Sequence, residues 1–263
     1  MMSANIKKIG MALGVATIGV VGYLSLSGQY VPGGGGGTLT RQDLEARKEY
    51  RYREEFELSS TTSAGKFSCA ATGTTVASST AVVGHPFVMT ATTSTGATDN
   101  MRCTTNSGLT FGDGVAKCVE VLMFINVLGT ANVRYVERFG FAEPTGTGDS
   151  VDAVEARYQG SGSQDFWEFA TRSNSTETNT VTSCAVSAAT WYKHKICVNA
   201  AGTSATLTIN DVLCATHTTN IPTGLTRATG LGIQHQNDTG AAQAAVFTQY
   251  DYVELTYPFS PTR

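Results

Sequence analysis

Charge is scarce in this 263-residue chain. Asp, Glu, Lys and Arg make up 15% of it, against about 25% in an average soluble domain. The two signs nearly cancel, with 18 Lys and Arg against 21 Asp and Glu. That balance excludes a general basic surface for nucleic acid. Histidine is rarer still. The four, at positions 85, 194, 217 and 235, leave little for a His-rich metal centre. The six cysteines contain no CxxC, the spacing that zinc sites use. Asp149, Asp152, Asp238 and Asp251 are scattered without the ligand spacing of a calcium loop. No metal and no cofactor is therefore expected. After Phe67 there is also no long segment of helical period, so a parallel α/β sheet with crossover helices is excluded. Hydroxyls take the place of charge. The 39 Thr are β-branched residues that favour strands over helices.

The few charges are unevenly placed. Nothing between Ile9 and Thr40 is charged, whereas eleven charges crowd the stretch from Arg41 to Glu57. Residues 1–30 read as a hydrophobic helix, with Lys7 and Lys8 ahead of the apolar run Ile9 to Leu26, the lower end of a bilayer-spanning length. Three uses fit it. A signal peptide would be cut after Ser25-Leu26-Ser27; a retained anchor would pack through Gly10 and Gly14; an assembly arm would grip a neighbour through residues 9–28. Residues 31–49 form a linker. Pro32 and the run Gly33 to Gly37 make a flexible tether, and Thr40 is placed to cap a short helix. Residues 50–263 form the body, opening with Tyr50, Tyr52, Phe56 and Leu58 at strand spacing.

In the body, short strands are predicted at 87–92, 117–128, 133–141, 151–158, 166–172 and 178–186, then along WYKHKICVNA, ATLTIND, VLCATHT, TGLGIQ and AAVFTQYDYVELTY. Gly, Asn, Asp, Ser and Thr clusters separate them. So many short strands at this spacing argue for an all-β sandwich or jelly roll. In WYKHKICV, His194, Ile196 and Val198 fall on one face, and Lys193, Lys195 and Cys197 on the other. The expected register sets Val198 against Leu207, Ile196 against Ile209 and, after a two-residue Asn210-Asp211 turn, Leu207 against Cys214. Cys214 then points inward and Cys197 outward, which argues against a bond between them.

The runs RFGF (138–141), TRSNSTET (171–178), TWYKHKICVNAAGTSATLTIND (190–211), ATHTTNIP (215–222) and YDYVEL from 250, with GHPFVMTATTSTGAT (84–98) upstream, resemble a concanavalin A-like, laminin-G-like sandwich domain. The version they resemble recurs in tailed-phage virion proteins. The likeness covers about two thirds of the chain. Phe87, His194 and Asp211 depart from the pattern, which has Gly, Leu and Gly there. The resemblance implies a jelly-roll fold, a virion-associated role and contact with glycans.

Candidate sites follow from residue type and spacing. Cys103 and Cys118 flank the turn FGDG (111–114), and Cys184 and Cys197 flank the loop near Ala188, so these two pairs are candidate disulfides; six reduced thiols are the alternative in a cytosol. Asp152 and Glu155 fall on opposite strand faces, and Glu55 and Glu57 lie in the charged connector, so neither pair makes a glycosidase dyad. No catalytic residue is assigned and the chain is not expected to be an enzyme. Trp167, Trp191, Tyr158 and Tyr192 are the aromatics available to stack on sugars, with Trp191 expected to fill the core and Trp167 to be half-buried. Loops 144–150 and 236–240 are rich in polar residues suited to a glycan. The expected role is a phage virion accessory protein on the outer particle surface, as decoration or fibre. It would oligomerise, dock to other virion proteins or a membrane through residues 9–28, and adhere weakly to surface glycans. The alternative is an exported or membrane-anchored bacterial cell-surface lectin.

Overall fold

The computed structural model describes residues 49–54, 56, 68–79, 84–85, 88–96, 99–105, 108–143, 149–160, 165–238 and 245–258. The expected N-terminal helix and glycine tether, together with Glu55 and Glu57, lie outside them. The strands are β1 (Glu49–Glu54), β2 (Ser68–Thr72), β3 (Thr74–Ser79), β4 (Val88–Thr93), β5 (Asn100–Thr104), β6 (Lys117–Ile125), β7 (Tyr135–Ala142) and β8 (Ala153–Gly160). They continue as β9 (Phe166–Ser173), β10 (Thr176–Ala185), β11 (Thr190–Val198), β12 (Ala205–Ile209), β13 (Val212–His217), β14 (Gly230–Asn237) and β15 (Phe247–Pro258), with one 3₁₀ turn at Leu225–Arg227. Two antiparallel sheets result. One runs β13-β12-β11-β6-β15-β4-β3, with β1 also paired to β15; the other runs β10-β9-β8-β7-β14-β5-β2.

The eight-stranded sheet shows period-2 burial. In β6, Val119, Val121, Met123 and Ile125 are buried and alternate with partly exposed Cys118, Glu120, Leu122 and Phe124. His194, Ile196 and Val198 face the core, as the alternation requires. In the seven-stranded sheet, β7, β8 and β9 are buried on nearly both faces. Their inner face carries Tyr135, Phe139, Phe141, Tyr158, Trp167 and Phe169 into the common core. Fully burying each such ring contributes roughly 1.5–3 kcal/mol.

Several expectations need correcting. The β11–β12 register is two residues tighter than expected: Val198 pairs with Ala205, Ile196 with Leu207 and His194 with Ile209. Asn199 causes this, because its Oδ1 accepts from the N–H groups of Thr203 and Ser204 and closes the loop early. Beyond the Asn210-Asp211 turn, Leu207 faces Ala215 rather than Cys214, across a register shift. The turn itself is as expected, with φ of 49° and 67°, the left-handed values of a type I′ hairpin.

Neither candidate disulfide forms. Cys69 bonds Cys103, Cys118 bonds Cys197, and Cys184 bonds Cys214. The cause is topological. β5 and β6 lie in different sheets, as do β10 and β11, so the turns between Cys103 and Cys118 and between Cys184 and Cys197 are crossings, not hairpins. Cys118 and Cys197 are direct cross-strand partners, as are Cys69 and Cys103. Cys184 and Cys214 tie the edge strand of one sheet to the edge strand of the other.

Candidate functional site

Three connections meet at one pole of the sandwich. They are the crossing from β5 to β6, the loop from β11 to β12, and the chain from β13 to β14. Backbone bonds stitch them together. Gly114 N–H donates to Ala200 O at 3.1 Å and Gly224 N–H to Phe111 O at 3.3 Å, and Phe111 bridges Thr223. Gly202 sits where the loops nearly touch. Its φ is 67°, and an added Cβ would lie 2.8 Å from Gly112 N and 2.7 Å from Thr223 Cγ2. A side chain there would force the loops apart.

Between the loops lies a cavity of about 600 Å³ lined by, among others, Phe111, Gly112, Asp113, Gly202, Thr203, Thr218, Asn220, Thr223 and Leu225. Phe111 is buried and meets Phe141 edge-on, with centroids 5.1 Å apart, which fixes the floor. Leu225 is 87% exposed and offers an apolar contact at the rim. Asp113 is fixed by Lys117, whose buried ammonium donates to both carboxylate oxygens at 2.7 Å, and by the Val115 N–H at 3.2 Å. Burial by itself would push the Asp113 carboxyl up, but the Lys117 hydrogen bond and charge and the Val115 amide outweigh it and hold it below the usual range. Asn220 Nδ2 donates to Thr178 Oγ1 at 2.9 Å, which leaves its carbonyl oxygen as the free end of the amide. The cavity thus offers a fixed carboxylate, an amide carbonyl, several hydroxyls and an apolar rim. Those groups suit a small polyol ring better than an anion or an extended apolar chain.

The residues singled out in the sequence fall elsewhere. Trp167, Tyr158 and Tyr192 are buried in the core, so Trp167 is more enclosed than expected. Trp191, expected inside, is partly exposed on the outer face of the eight-stranded sheet. The parity that turns Tyr192 and His194 inward turns Trp191 out. Asp152 pairs with Arg227 at 3.0 Å, while Glu155 lies against Arg138 at 3.6 Å, so the structure gives these two carboxylates separate partners. Asp149, Asp238 and Asp251 are likewise paired, with Arg138 and Arg172, with Arg134 and with His85. Much of loops 144–150 and 236–240 is outside the described residues. The sequence did carry a signal for the cavity: the glycine turns FGDG, NAAG and PTG, which belong to its three loops.

Solved structures share this fold. A protein of unknown function, SO2946 from Shewanella oneidensis MR-1, aligns with a TM-score of 0.62 at 18% identity, over 86% of this chain and 98% of that one. Arcelin-5, a lectin-like defense protein from Phaseolus vulgaris, aligns with a TM-score of 0.55 at 8% identity, over 81% and 100%. An endo-1,3-beta-glucanase from Streptomyces sioyaensis aligns with a TM-score of 0.54 at 12% identity, over 80% and 96%. At such identities the likeness establishes the concanavalin A-like lectin sandwich and not an activity, since one fold hosts binders and hydrolases alike. No curated protein matches the chain. The family model described as SO2946-like, C-terminal domain, matches residues 84–248, more than half of the chain.

Proposed function

The chain belongs to the family of SO2946-like C-terminal domains, and from that footing we propose that it is a non-catalytic carbohydrate-binding domain displayed at a surface. The observation that carries this reading is the cavity at the loop pole, whose lining includes Asp113, held by Lys117, together with Asn220 and the exposed Leu225. A neutral sugar fits it by chemistry. Ring hydroxyls donate to Asp113 and Asn220, and a C–H face covers Leu225. The lectin-like neighbours support the reading at the level of fold.

The finer placement is a virion accessory role on the outer particle surface, with residues 9–28 docking to other virion proteins or to a membrane. There, homo-oligomers would add weak sites into useful avidity. One observation favours the exported cell-surface lectin instead. All six cysteines are paired, and disulfides persist in oxidising compartments.

A neutral-glycan array probed with the full chain tests the binding reading. Asp113→Asn should weaken a glycan held in the cavity by about 2 kcal/mol, the usual worth of a hydrogen bond to a charged group. Retention of no neutral glycan by the folded chain would defeat the proposal. Mass spectrometry of purified particles against exported fractions separates the two placements.

A further inference from the structure

The outer face of the eight-stranded sheet holds a line of rings that the core does not use. Trp191 on β11 is the direct partner of Phe124 on β6, with ring centroids 5.3 Å apart. Phe247 on β15 continues the line, 6.4 Å from Phe124 and nearly parallel to it. All three are partly exposed. These steps are close to the strand spacing of about 4.8 Å, so the strip advances roughly one ring per strand.

One end of the strip is covered by the chain itself. The His85 imidazole lies flat on the Trp191 indole, with centroids 3.9 Å apart and planes 20° from parallel. Its Nδ1–H donates to Asp251 Oδ2 at 2.8 Å. Asp251 is the extra residue at the register shift between Tyr250 and Tyr252. A bulge of that kind re-aims a side chain and is frequent beside functional sites. His85 therefore displays the shape and polarity this spot accepts: a flat ring whose face covers indole and whose edge donor meets a carboxylate.

We propose that Trp191, Phe124 and Phe247 form a second carbohydrate platform that takes a β-linked pyranose chain, with His85 as the built-in occupant displaced on binding. Sugar C–H faces cover the rings, and one edge hydroxyl replaces the imidazole N–H on Asp251. A β-linked chain is specified because its successive equatorial rings follow an extended course, as these rings do from β11 to β6 to β15, with the indole tilted 46° from the Phe124 ring. A partner protein fits less well, because the rings are bordered by Asp251, Gln249 and Lys193, groups that need hydrogen-bond partners if they are covered. The platform lies on a sheet face, away from the loop-pole cavity, and does not depend on that cavity binding sugar.

The test is calorimetric titration of the full chain with cellohexaose, laminarihexaose and chitohexaose. Tryptophan fluorescence is followed in parallel, because Trp191 is the partly exposed one of the two tryptophans. His85→Ala removes the competing occupant and should bind at least one of these probes about tenfold more tightly than the natural chain. Trp191→Ala should abolish that gain, and Trp191→Phe, a milder change, should reduce it. Asp113→Asn should leave it untouched, which separates this platform from the cavity. The proposal is overturned if folded His85→Ala binds none of the three hexasaccharides more tightly than the natural chain, or if that gain survives Trp191→Ala.

Discussion

His194 is a polar ring placed where a hydrocarbon would serve better. It is fully buried, set edge-to-face against Trp167 at 4.1 Å and near Phe139 and Tyr192. Neither ring nitrogen has a hydrogen-bond partner. Burial pushes the imidazole down to about 3 from its usual 6.5. With the folded value depressed, the unfolded chain takes up this proton first. His194 therefore costs nothing by titration above about pH 6.5 and destabilises progressively as pH falls toward 3. His194→Leu should stabilise the protein by about 1–2 kcal/mol at neutral pH by removing the orphaned imidazole. Its advantage should widen at pH 4.5. Urea unfolding at the two pH values checks both points, and an advantage that does not grow on acidification would contradict the titration argument.

At the scale of the strand, one polar row crosses the seven-stranded sheet. Glu168, Arg157, Arg138, Gln234 and Arg102 are successive partners across β9, β8, β7, β14 and β5. The side chains interlock: Arg157 Nε donates to Glu168 at 2.8 Å and reaches Glu177 at 3.3 Å, and Arg138 holds Asp149 at 2.6 Å. Burial alone would lower the Arg157 guanidinium, but Glu168, Glu155 and Glu177 outweigh it and raise it. Arg157→Ala would strand Glu168 beneath the surface without its guanidinium, a loss of about 3–5 kcal/mol. Arg157→Lys should recover only part of it, because an ammonium lacks the planar fork; chemical denaturation of the pair measures the difference.

The same strands show what sequence pattern conveys. β6 and β11 have one wet face, so their alternation was readable, and with it the inward turn of His194. β2, β3 and β5 carry no such alternation. β2 and β3 are Ser-, Thr- and Ala-rich sheet-edge strands without a clear apolar face, and β5 is buried at every position. The cavity's glycine turns were visible, but their convergence depends on which connections cross between sheets, and local pattern does not encode that. The cysteine pairing depends on the same crossings.

The whole sandwich is clasped by one covalent link. Cys184–Cys214 joins β10 to β13, and close by His217 bridges the same two sheets, with Nδ1 3.0 Å from Thr171 and Nε2 3.0 Å from Thr180. The bond closes a span of 30 residues, worth roughly 3–4 kcal/mol of denatured-state entropy. For a body of this size that corresponds to about 10 °C in melting temperature. The double variant Cys184→Ser/Cys214→Ser should lose that much in a thermal melt. A change of only a degree or two would mean that the polar bridges around His217 hold the edge by themselves.

Strand direction adds a constraint on presentation. β6 leaves the cavity's pole at Lys117; β15 returns to that pole, with Thr256 beside Cys118; and β1 begins there, with Glu49 beside Pro258. The polypeptide thus enters the body on the side where the cavity opens. A domain held by its leading segment would turn that opening toward its own support. If it were so held, the 18 residues from 31 to 48 would span about 60 Å at most when fully extended, and that span would limit what the cavity could reach. The aromatic strip runs along the flank instead and is free of that ceiling.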